Sequence, residues 1–305
     1  MRPADVGSSA KGRGQEAGRP QGKVVLYRPN QRHELGALRT WEVMAQNVWR
    51  ARELIWQLFK RDFLGAYKKS FIGVTWVFLA PLLGIVSWVF LKGTGMLRPG
   101  ELPGGVPYAV YVLMGSTMWG LFMGFYNSAT NTLSAGQSLV MQVNYPHEVL
   151  LFQQTARRLA DFCIALLLNI VVLVVFGRIP SWRIVFLPLV LLPMFLLGSA
   201  VGLFISMFAI VAVDLTRLVN SGMALLMLLT PVVYSSTSPP HPAVSYVNKW
   251  NPLTYLVCSA RDIVLFGRLY DNVGFAICSA GALVAFLISW RLFFVSEHQI
   301  VERMI

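Results

Sequence analysis

Charged residues, and acidic residues above all, are scarce in this sequence. Only 13% of its 305 residues are charged and 14 are Asp or Glu, whereas soluble domains carry roughly 25% charged residues. Hydrophobic residues make up 55% of the chain. Much of the chain is therefore expected to face lipid, and the composition predicts an integral membrane protein.

The sequence also lacks the motifs of metal, redox and nucleotide sites. Its three cysteines, Cys163, Cys258 and Cys278, show no CxxC spacing, and its four histidines are scattered without an HExxH motif. The nearest approach to a phosphate-binding GxxxxGK[ST] motif, residues 18–23, has the wrong spacing and lacks the Ser or Thr. No metal and no cofactor are thus predicted in this chain, and any energy from ATP must come from a separate protein.

Positive charge is concentrated before the first apolar run. Residues 1–69 hold 14 Lys and Arg against 6 Asp and Glu, a net charge of +8 out of the chain's +12. Directly before a hydrophobic span, such charge indicates the cytoplasmic side of a membrane better than it indicates nucleic acid. Residues 1–36 are rich in Gly, Pro and charge and have no apolar h-region, so they are predicted to be a flexible cytoplasmic tail rather than a signal peptide.

Residues 37–69 are predicted to form an amphipathic interface helix, covering 41–63, and a connector. At 100° per residue, one half of the helical wheel is apolar and rich in tryptophan, and the other half is polar. This pattern is typical of a helix that lies on the membrane surface. The apolar half contains Trp41, Met44, Ala45, Val48, Trp49, Ile55, Trp56, Phe59 and Phe63.

Six apolar runs follow, each near the ~20 residues that cross a bilayer. They lie at about 71–91, 107–130, 158–177, 184–212, 217–236 and 272–294. The sequence thus predicts an all-α protein with a six-helix transmembrane domain over residues 70–295. An even number of spans returns residues 296–305 to the cytoplasm, so both termini are predicted to be cytoplasmic.

Two segments between the predicted spans are neither spans nor simple loops. Residues 134–157, between the second and third spans, are too polar to cross a membrane, yet they have a helix-like pattern with a break at Tyr145-Pro146. The topology places them in the cytoplasm. Residues 237–270 mix apolar runs with prolines, so they are predicted to form short re-entrant or surface helices on the outer side.

Small and aromatic residues recur along the predicted spans. Small residues at four-residue spacing allow close helix packing, or alternatively form a dimer or pathway face. They are Ser116, Gly120, Gly124 and Ser128 in the second span and Gly198, Gly202 and Ser206 in the fourth. Aromatic rings beside hydroxyl groups would let a sugar chain slide past, although aromatic belts at the membrane surface produce the same pattern. The candidate channel residues are Tyr111, Trp119, Phe122, Tyr126 and Tyr234.

The basic residues near the predicted inner membrane surface have two interpretations. They are either a positive-inside anchor or a site that attracts the diphosphate headgroup of a lipid. They are Lys60, Arg61, Lys68 and Lys69. At the start of the third span, Arg157 and Arg158 are spaced to pair with Asp161 on one helix.

Three stretches, residues 53–83, 138–152 and 228–267, resemble in the same order the signature regions of one family. It is the ABC-2 type permease of bacterial polysaccharide exporters, which move O-antigen, capsule or teichoic acid chains on an isoprenoid lipid carrier. The resemblance covers about residues 50–300. It implies the type V exporter fold, in which an interface helix precedes six transmembrane helices, with a coupling helix between the second and third and short outer helices before the last.

The resemblance also implies partners. In this family two permeases and two copies of a separate ATPase form the transporter, so ATP and Mg are expected in the partner subunit. The basic cluster is expected where the lipid headgroup enters. The segment expected to contact the ATPase contains Gln142, Asn144, Tyr145, Pro146, His147 and Glu148. Gln142 and His147 stand where the family commonly has basic residues, so this contact is expected to depend less on charge.

The leading hypothesis is a permease subunit, not an enzyme, that translocates undecaprenyl-linked polysaccharide across the bacterial inner membrane through a channel at a homodimer interface. An ABC-2 exporter of a small drug or lipid is the first alternative. A membrane glycosyl- or acyltransferase is the second, and it would need acidic residues clustered at one membrane face, with Asp161, Asp214 and Asp262 as candidates.

Overall fold

The computed structural model describes residues 37–68, 75–132, 148–209, 212–237 and 241–302, and within them the backbone is mostly helical and contains no β-strand. The all-α prediction is thereby confirmed. The helices are α1 (Ala37–Arg50), α2 (Arg52–Lys68), α3 (Thr75–Gly93), α4 (Tyr108–Thr130), α5 (Glu148–Val175), α6 (Leu187–Ala209), α7 (Val213–Leu229), α8 (Pro242–Trp250), α9 (Pro252–Leu265) and α10 (Asn272–Glu302). Short 3₁₀ turns, Pro103–Gly105 and Trp182–Phe186, precede α4 and α6.

Four of the predicted spans are long and apolar enough to cross a membrane. They are Tyr108–Thr130, Val149–Val175, Trp182–Ala209 and Asn272–Ser296. The predicted first span corresponds to α3, Thr75–Gly93, which includes the short apolar stretch Pro81–Gly93. The predicted fifth span is α7, which has 17 residues. The chain is thus a membrane protein with several apolar helices, and the count of six spans stays a prediction.

Helix α7 ends earlier than its apolar run, which continues to residue 236. Thr230 has extended backbone angles, with φ −88° and ψ 141°, because it precedes Pro231 and a residue before proline is disfavoured in the helical region. The irregular linker 230–237 that follows is largely buried. Proline therefore converts the end of an apparent span into a linker that lies against other helices.

The predicted interface helix is present as two helices that meet at Ala51. The hydrogen bond from Ala51 N–H to the Asn47 carbonyl, 3.0 Å, keeps the two nearly continuous. Met44 is fully buried, and the indole nitrogen of Trp41 donates to the Leu287 carbonyl of α10 over 3.3 Å. Trp49, by contrast, is 71% exposed, as expected for a tryptophan at headgroup level.

Short helices also occupy the region between α7 and α10. Both α8 and α9 begin with a proline at the first helical position, where the missing N–H costs no hydrogen bond. The residue before each proline caps the helix, because His241 Nδ1 accepts from Ala243 N–H and Asn251 Oδ1 accepts from Leu253 N–H.

Helix α4 lies at the centre of the packing. Among the 18 most apolar consecutive residues of α4, 72% are buried. The corresponding share is 17% in Val149–Val175 and in Asn272–Ser296. It packs closely on α6, because a Cβ added to Gly198 would lie 3.0 Å from Phe125 Cβ, and one added to Gly202 would collide with Tyr126 and Ala129. The small residues of the fourth predicted span are therefore packing residues.

The predicted third span begins earlier than expected. Helix α5 runs without interruption from Glu148 to Val175, so residues 148–157 of the predicted coupling segment belong to the same helix as the span. No proline or glycine lies between Glu148 and Val175, which explains the continuity. The tail 1–36 and residues 133–147 lie outside the described residues.

Candidate functional site

The five aromatic residues predicted to line a channel lie in the core of the chain. Their side chains are between 0% and 6% exposed. Tyr111 donates to the Tyr234 carbonyl over 3.3 Å, Tyr126 donates to Asn220 Oδ1 over 3.0 Å, and Tyr234 donates to the Leu229 carbonyl over 2.7 Å. Trp119 and Phe122 are packed against each other at 5.6 Å between ring centroids. All five therefore pack the protein interior, and Phe122 also lines an apolar cavity of about 570 Å³, so a channel role for them stays a prediction.

The opposite face of α4 borders an open groove, which we call the α4 groove. It has a volume of about 710 Å³ and lies between α3, α4 and α5, with Met227 of α7 at one edge. Helix α4 contributes Ser116, Thr117, Gly120, Met123 and Asn127 among others, which share one face at helical spacing. From Ser116 to Asn127 this face extends about 16 Å at 1.5 Å per residue.

Two glycines give the α4 groove its width. A Cβ atom added to Gly84 of α3 or to Gly120 of α4 would meet no atom within 4 Å. A Cβ added to Gly124, one turn further along α4, would instead contact the Arg158 side chain at 3.3 Å, and Ser128 is buried. The four-residue stripe in the second predicted span therefore serves two purposes: its first half borders open space and its second half packs.

Polar side chains line the α4 groove between apolar helices. Ser116, Thr117 and Asn127 line it from α4, and Arg158 and Asp161 line it from α5. The ring systems of Trp88 and Phe162 complete the wall. Polar and charged side chains are expensive in hydrocarbon and face water, a ligand or another protein surface. The groove is thus a candidate pathway rather than a lipid-facing surface.

A second cavity, which we call the basic cavity, lies between α2 and α5. It measures about 300 Å³ and is lined by Leu58, Arg61, Asp62, Leu150, Gln153, Gln154, Arg157 and Arg158. Asp62 is already engaged, because Arg61 Nε donates to its carboxylate over 2.8 Å and Gln153 Nε2 over 3.0 Å. Arg157 Nη1 donates to the Asp62 backbone carbonyl over 3.4 Å. Arg158 lines both the basic cavity and the α4 groove, so the two spaces adjoin.

The predicted headgroup residues are only partly brought together. Arg61 lines the basic cavity, whereas the Lys60 ammonium lies 5.2 Å from the centre of the Trp56 ring. Lys68 ends α2, and Lys69 lies outside the described residues. Arg157 and Arg158, which the sequence suggested as partners of Asp161, also supply the other cations of the cavity. Their spacing on one helix was visible in the sequence, but the proximity of α2 was not.

Of the six residues predicted to contact the ATPase, the structure describes only Glu148. Gln142, Asn144, Tyr145, Pro146 and His147 lie outside the described residues. Glu148 is the first residue of α5. The segment that contains them therefore leads directly into the helix that carries Arg158 and Asp161 into the α4 groove.

A buried cation was missed by sequence reasoning. Arg261 of α9 is fully buried, and its Nη1 donates to the Pro231 carbonyl over 2.8 Å while its Nε donates to the Asp262 carboxylate over 2.9 Å. Its guanidinium lies 3.9 Å from the centre of the Tyr111 ring. Arg261 thus ties α9 to α4 and to the linker 230–237. In the sequence Arg261 and Asp262 are two adjacent charged residues on a short helix, and such residues are usually exposed.

The acidic residues required by the transferase hypothesis are separated. Asp161 lines the α4 groove, Asp262 pairs with Arg261, and Asp214 lies at an exposed helix start, 3.3 Å from Arg217. Among the described residues no group of three or more His, Cys, Asp or Glu could hold a metal ion. The arrangement gives no support to a membrane transferase site.

Comparisons with known proteins agree with the transporter architecture. Residues 53–265 match the family described as ABC-2 type transporter. The chain is 26% identical over 229 residues to the O-antigen export system permease protein RfbA of Myxococcus xanthus, a match that covers 75% of this chain and 86% of that protein. It is 26% identical over 230 residues to the protein of the same name from Klebsiella pneumoniae, covering 74% and 85% of the two chains. A second Klebsiella pneumoniae protein of that name is 24% identical over 233 residues.

Proposed function

The chain belongs to the ABC-2 type transporter family, and on that premise we propose that it is the permease subunit of an ATP-driven exporter of undecaprenyl-linked polysaccharide. The transporter carries an O-antigen-like chain across the bacterial inner membrane, and both termini of the permease are cytoplasmic. Relatives named as O-antigen export permeases, similar over about three quarters of this chain, support the choice of substrate class.

The α4 groove is the observation that carries this proposal. A polysaccharide cannot enter hydrocarbon, where each polar group without a hydrogen-bond partner costs several kcal/mol. The groove supplies uncharged hydrogen-bonding side chains, Thr117 and Asn127, beside the aromatic walls of Trp88 and Phe162. Its volume of 710 Å³ lies within the range of about 300–1,000 Å³ that is usual for ligand sites.

A second copy of the chain closes the groove in the proposed transporter. One chain leaves the groove open along α3 and α4, and Asn127, Arg158 and Asp161 would then border lipid. Because charged groups in hydrocarbon are costly, another protein surface should cover them. Two copies related by a two-fold axis would place two such grooves face to face, forming one polar conduit between them.

The basic cavity is the proposed site of the carrier's diphosphate. Arg61, Arg157 and Arg158 supply three cations there against the one carboxylate of Asp62, and Gln154 supplies an amide donor. Arginine suits phosphate oxygens because its planar guanidinium donates two parallel hydrogen bonds. Since Arg158 also lines the α4 groove, a headgroup held in the cavity would present its first sugars to the groove.

Two copies of a separate ABC ATPase, which bind ATP and Mg, are the proposed source of energy. They dock on the segment that contains residues 142–148. Because α5 is continuous from Glu148 to Val175, a displacement of this segment would move Arg157, Arg158 and Asp161 together. The motor would thereby act on the basic cavity and on the α4 groove through one rigid helix.

Blocking the groove without disturbing the fold tests the proposal. In a strain lacking the chromosomal gene, the wild-type chain should restore surface polysaccharide, whereas Gly120→Trp should leave it about 100-fold lower and lipid-linked glycan should accumulate inside the cell. The added side chain enters open space, since a Cβ at Gly120 meets no atom within 4 Å, and replacing a helical glycine does not by itself destabilise a helix.

Gly281→Trp is the matched control. Gly281 lies in α10, is exposed, also has no atom within 4 Å of an added Cβ, and does not line the groove. Both variants should reach the membrane in equal amounts, and the control should export normally. Normal export by Gly120→Trp, or equal loss in the two variants, would contradict a pathway along α4. Normal surface glycan in the deletion strain would contradict the export function altogether.

A further inference from the structure

The charges of the α4 groove cancel. Among the described residues that line it, Arg158 is the positively charged one and Asp161 the negatively charged one, three positions apart on α5. The other polar lining groups, Ser116, Thr117 and Asn127, are uncharged. A second copy of the chain would add one more charge of each sign. The described lining therefore has no net charge for one chain or for two.

Positive charge is instead confined to one end of the pathway. At the basic cavity three cations, Arg61, Arg157 and Arg158, outnumber the one carboxylate of Asp62, and a single anionic headgroup would bind there. Beyond Arg158 the described wall of the groove continues along α4 for about 16 Å, at 1.5 Å per residue, with neutral side chains. The cations thus match a substrate that carries negative charge at one end and not along its length.

A polyanionic chain would fit this lining poorly. Pores that pass anions or phosphate are lined by Arg or Lys, because a charge that leaves water needs a countercharge nearby. A polysaccharide with a carboxylate or phosphate in every repeat would place several negative charges in the groove at once. The Arg158 and Asp161 charges together offer them no net countercharge, and Ser116, Thr117 and Asn127 cannot neutralise them.

We infer that the α4 groove is selective for an uncharged polysaccharide and discriminates against chains that carry an acidic group in each repeat. This inference rests on the proposed function, and it names the class of glycan that the exporter moves. The negative charge of the substrate resides in the carrier diphosphate, which the basic cavity receives before the neutral sugars enter the groove.

Transport of two matched glycans tests the inference. Inverted membrane vesicles containing the chain and its ATPase are given undecaprenyl-diphosphate-linked oligohexose, or the same oligosaccharide with one hexose per repeat oxidised at C6 to the uronic acid. ATP-dependent protection of the glycan from an added glycosidase reports translocation. The neutral glycan should move at least tenfold faster. Equal rates, or a faster acidic glycan, would overturn the selectivity while leaving the export function intact. Movement of neither glycan would instead refute the export function, and the inference with it.

Variants that change the charge of the groove provide a second test of the inference. Asp161→Asn leaves Arg158 without an opposing charge in the lining, and Thr117→Lys adds a cation beside Ser116. Each should raise the ratio of acidic to neutral transport at least threefold. Asp214→Asn makes the same change of net charge as Asp161→Asn, but at an exposed carboxylate outside the groove, and should leave the ratio unchanged. An unchanged ratio in both groove variants, or an equal change in the Asp214 control, would contradict the inference.

Discussion

Replacement of Arg261 by methionine is expected to destabilise the chain by about 3–5 kcal/mol, the cost of removing one partner from a buried ion pair. Arg261 is fully buried and Asp262 is 6% exposed, and 2.9 Å separates the guanidinium Nε from the carboxylate. Without the guanidinium, the carboxylate remains buried and the Pro231 carbonyl loses a hydrogen bond of 2.8 Å.

The contributions of this site overlap and should not be added. The lost hydrogen bond alone would cost about 1–3 kcal/mol, and the contact with the Tyr111 ring, at 3.9 Å, about 2 kcal/mol when desolvated. Because these contacts share one side chain, their energies are not independent. Removing both charges in Arg261→Met/Asp262→Leu eliminates the uncompensated carboxylate, so the double variant should recover at least about 2 kcal/mol.

Thermal unfolding in detergent, followed by tryptophan fluorescence, measures this difference. At the roughly 2–4 °C per kcal/mol typical of large domains, Arg261→Met should lower Tm by about 10 °C, and the double variant should recover about half of that loss. Arg268→Met is the matched control, since Arg268 is an exposed arginine in the same region; it should change Tm by less than about 2 °C. A Tm for Arg261→Met equal to that of the control would refute the role of Arg261 in joining α9 to α4 and the linker.

Three further predictions follow from packing, charge and coupling. Gly202→Val should abolish a monodisperse gel-filtration peak, because the new Cβ would collide with α4. Gly222→Val should keep the peak, because its Cβ meets nothing within 4 Å. Equal yields of the two variants would contradict the close packing of α4 on α6. Arg157→Gln should weaken binding of undecaprenyl diphosphate about tenfold, because one charge-assisted hydrogen bond is lost. Arg50→Gln, at an exposed arginine, should leave the affinity unchanged. Equal affinities of the two variants would contradict a place for Arg157 in the headgroup site. Pro146→Ala should leave the permease folded and ATP hydrolysis running but reduce export, as measured by phosphate release and surface glycan, and normal export would count against this segment as the coupling element.

The helices were predictable to the extent that their causes are local. Long apolar runs gave the positions of α4, α5, α6 and α10, because only a helix satisfies its own backbone in lipid. The end of α7 was placed too far along the chain, although Pro231 follows Thr230 and breaks the run. The apolar composition of residues 217–236 suggested a longer span, and in the structure the proline decided the outcome.

The candidate site depends on which helices become neighbours, and local sequence patterns do not show which helices those are. Gly120 and Gly202 belong to stripes of the same spacing, yet one borders open space and the other touches α4. The hydroxyl of Tyr111 suggested a place for sugar, but it is bonded to the carbonyl of Tyr234, 123 positions along the chain. Composition and spacing pointed to α4, and tertiary contacts determined which of its faces is open.

Cross-linking to a moving glycan tests directly whether the glycan passes along the α4 groove. A photoreactive amino acid is placed at Thr117 in the α4 groove, or at Gly281 on the exposed face of α10, and cells are illuminated while export proceeds. A pathway along the α4 groove predicts a cross-linked product that contains the glycan at position 117, that disappears when the ATPase is inactivated, and that is absent at position 281. Active export without glycan at position 117, or with equal labelling at both positions, would contradict a pathway along the α4 groove.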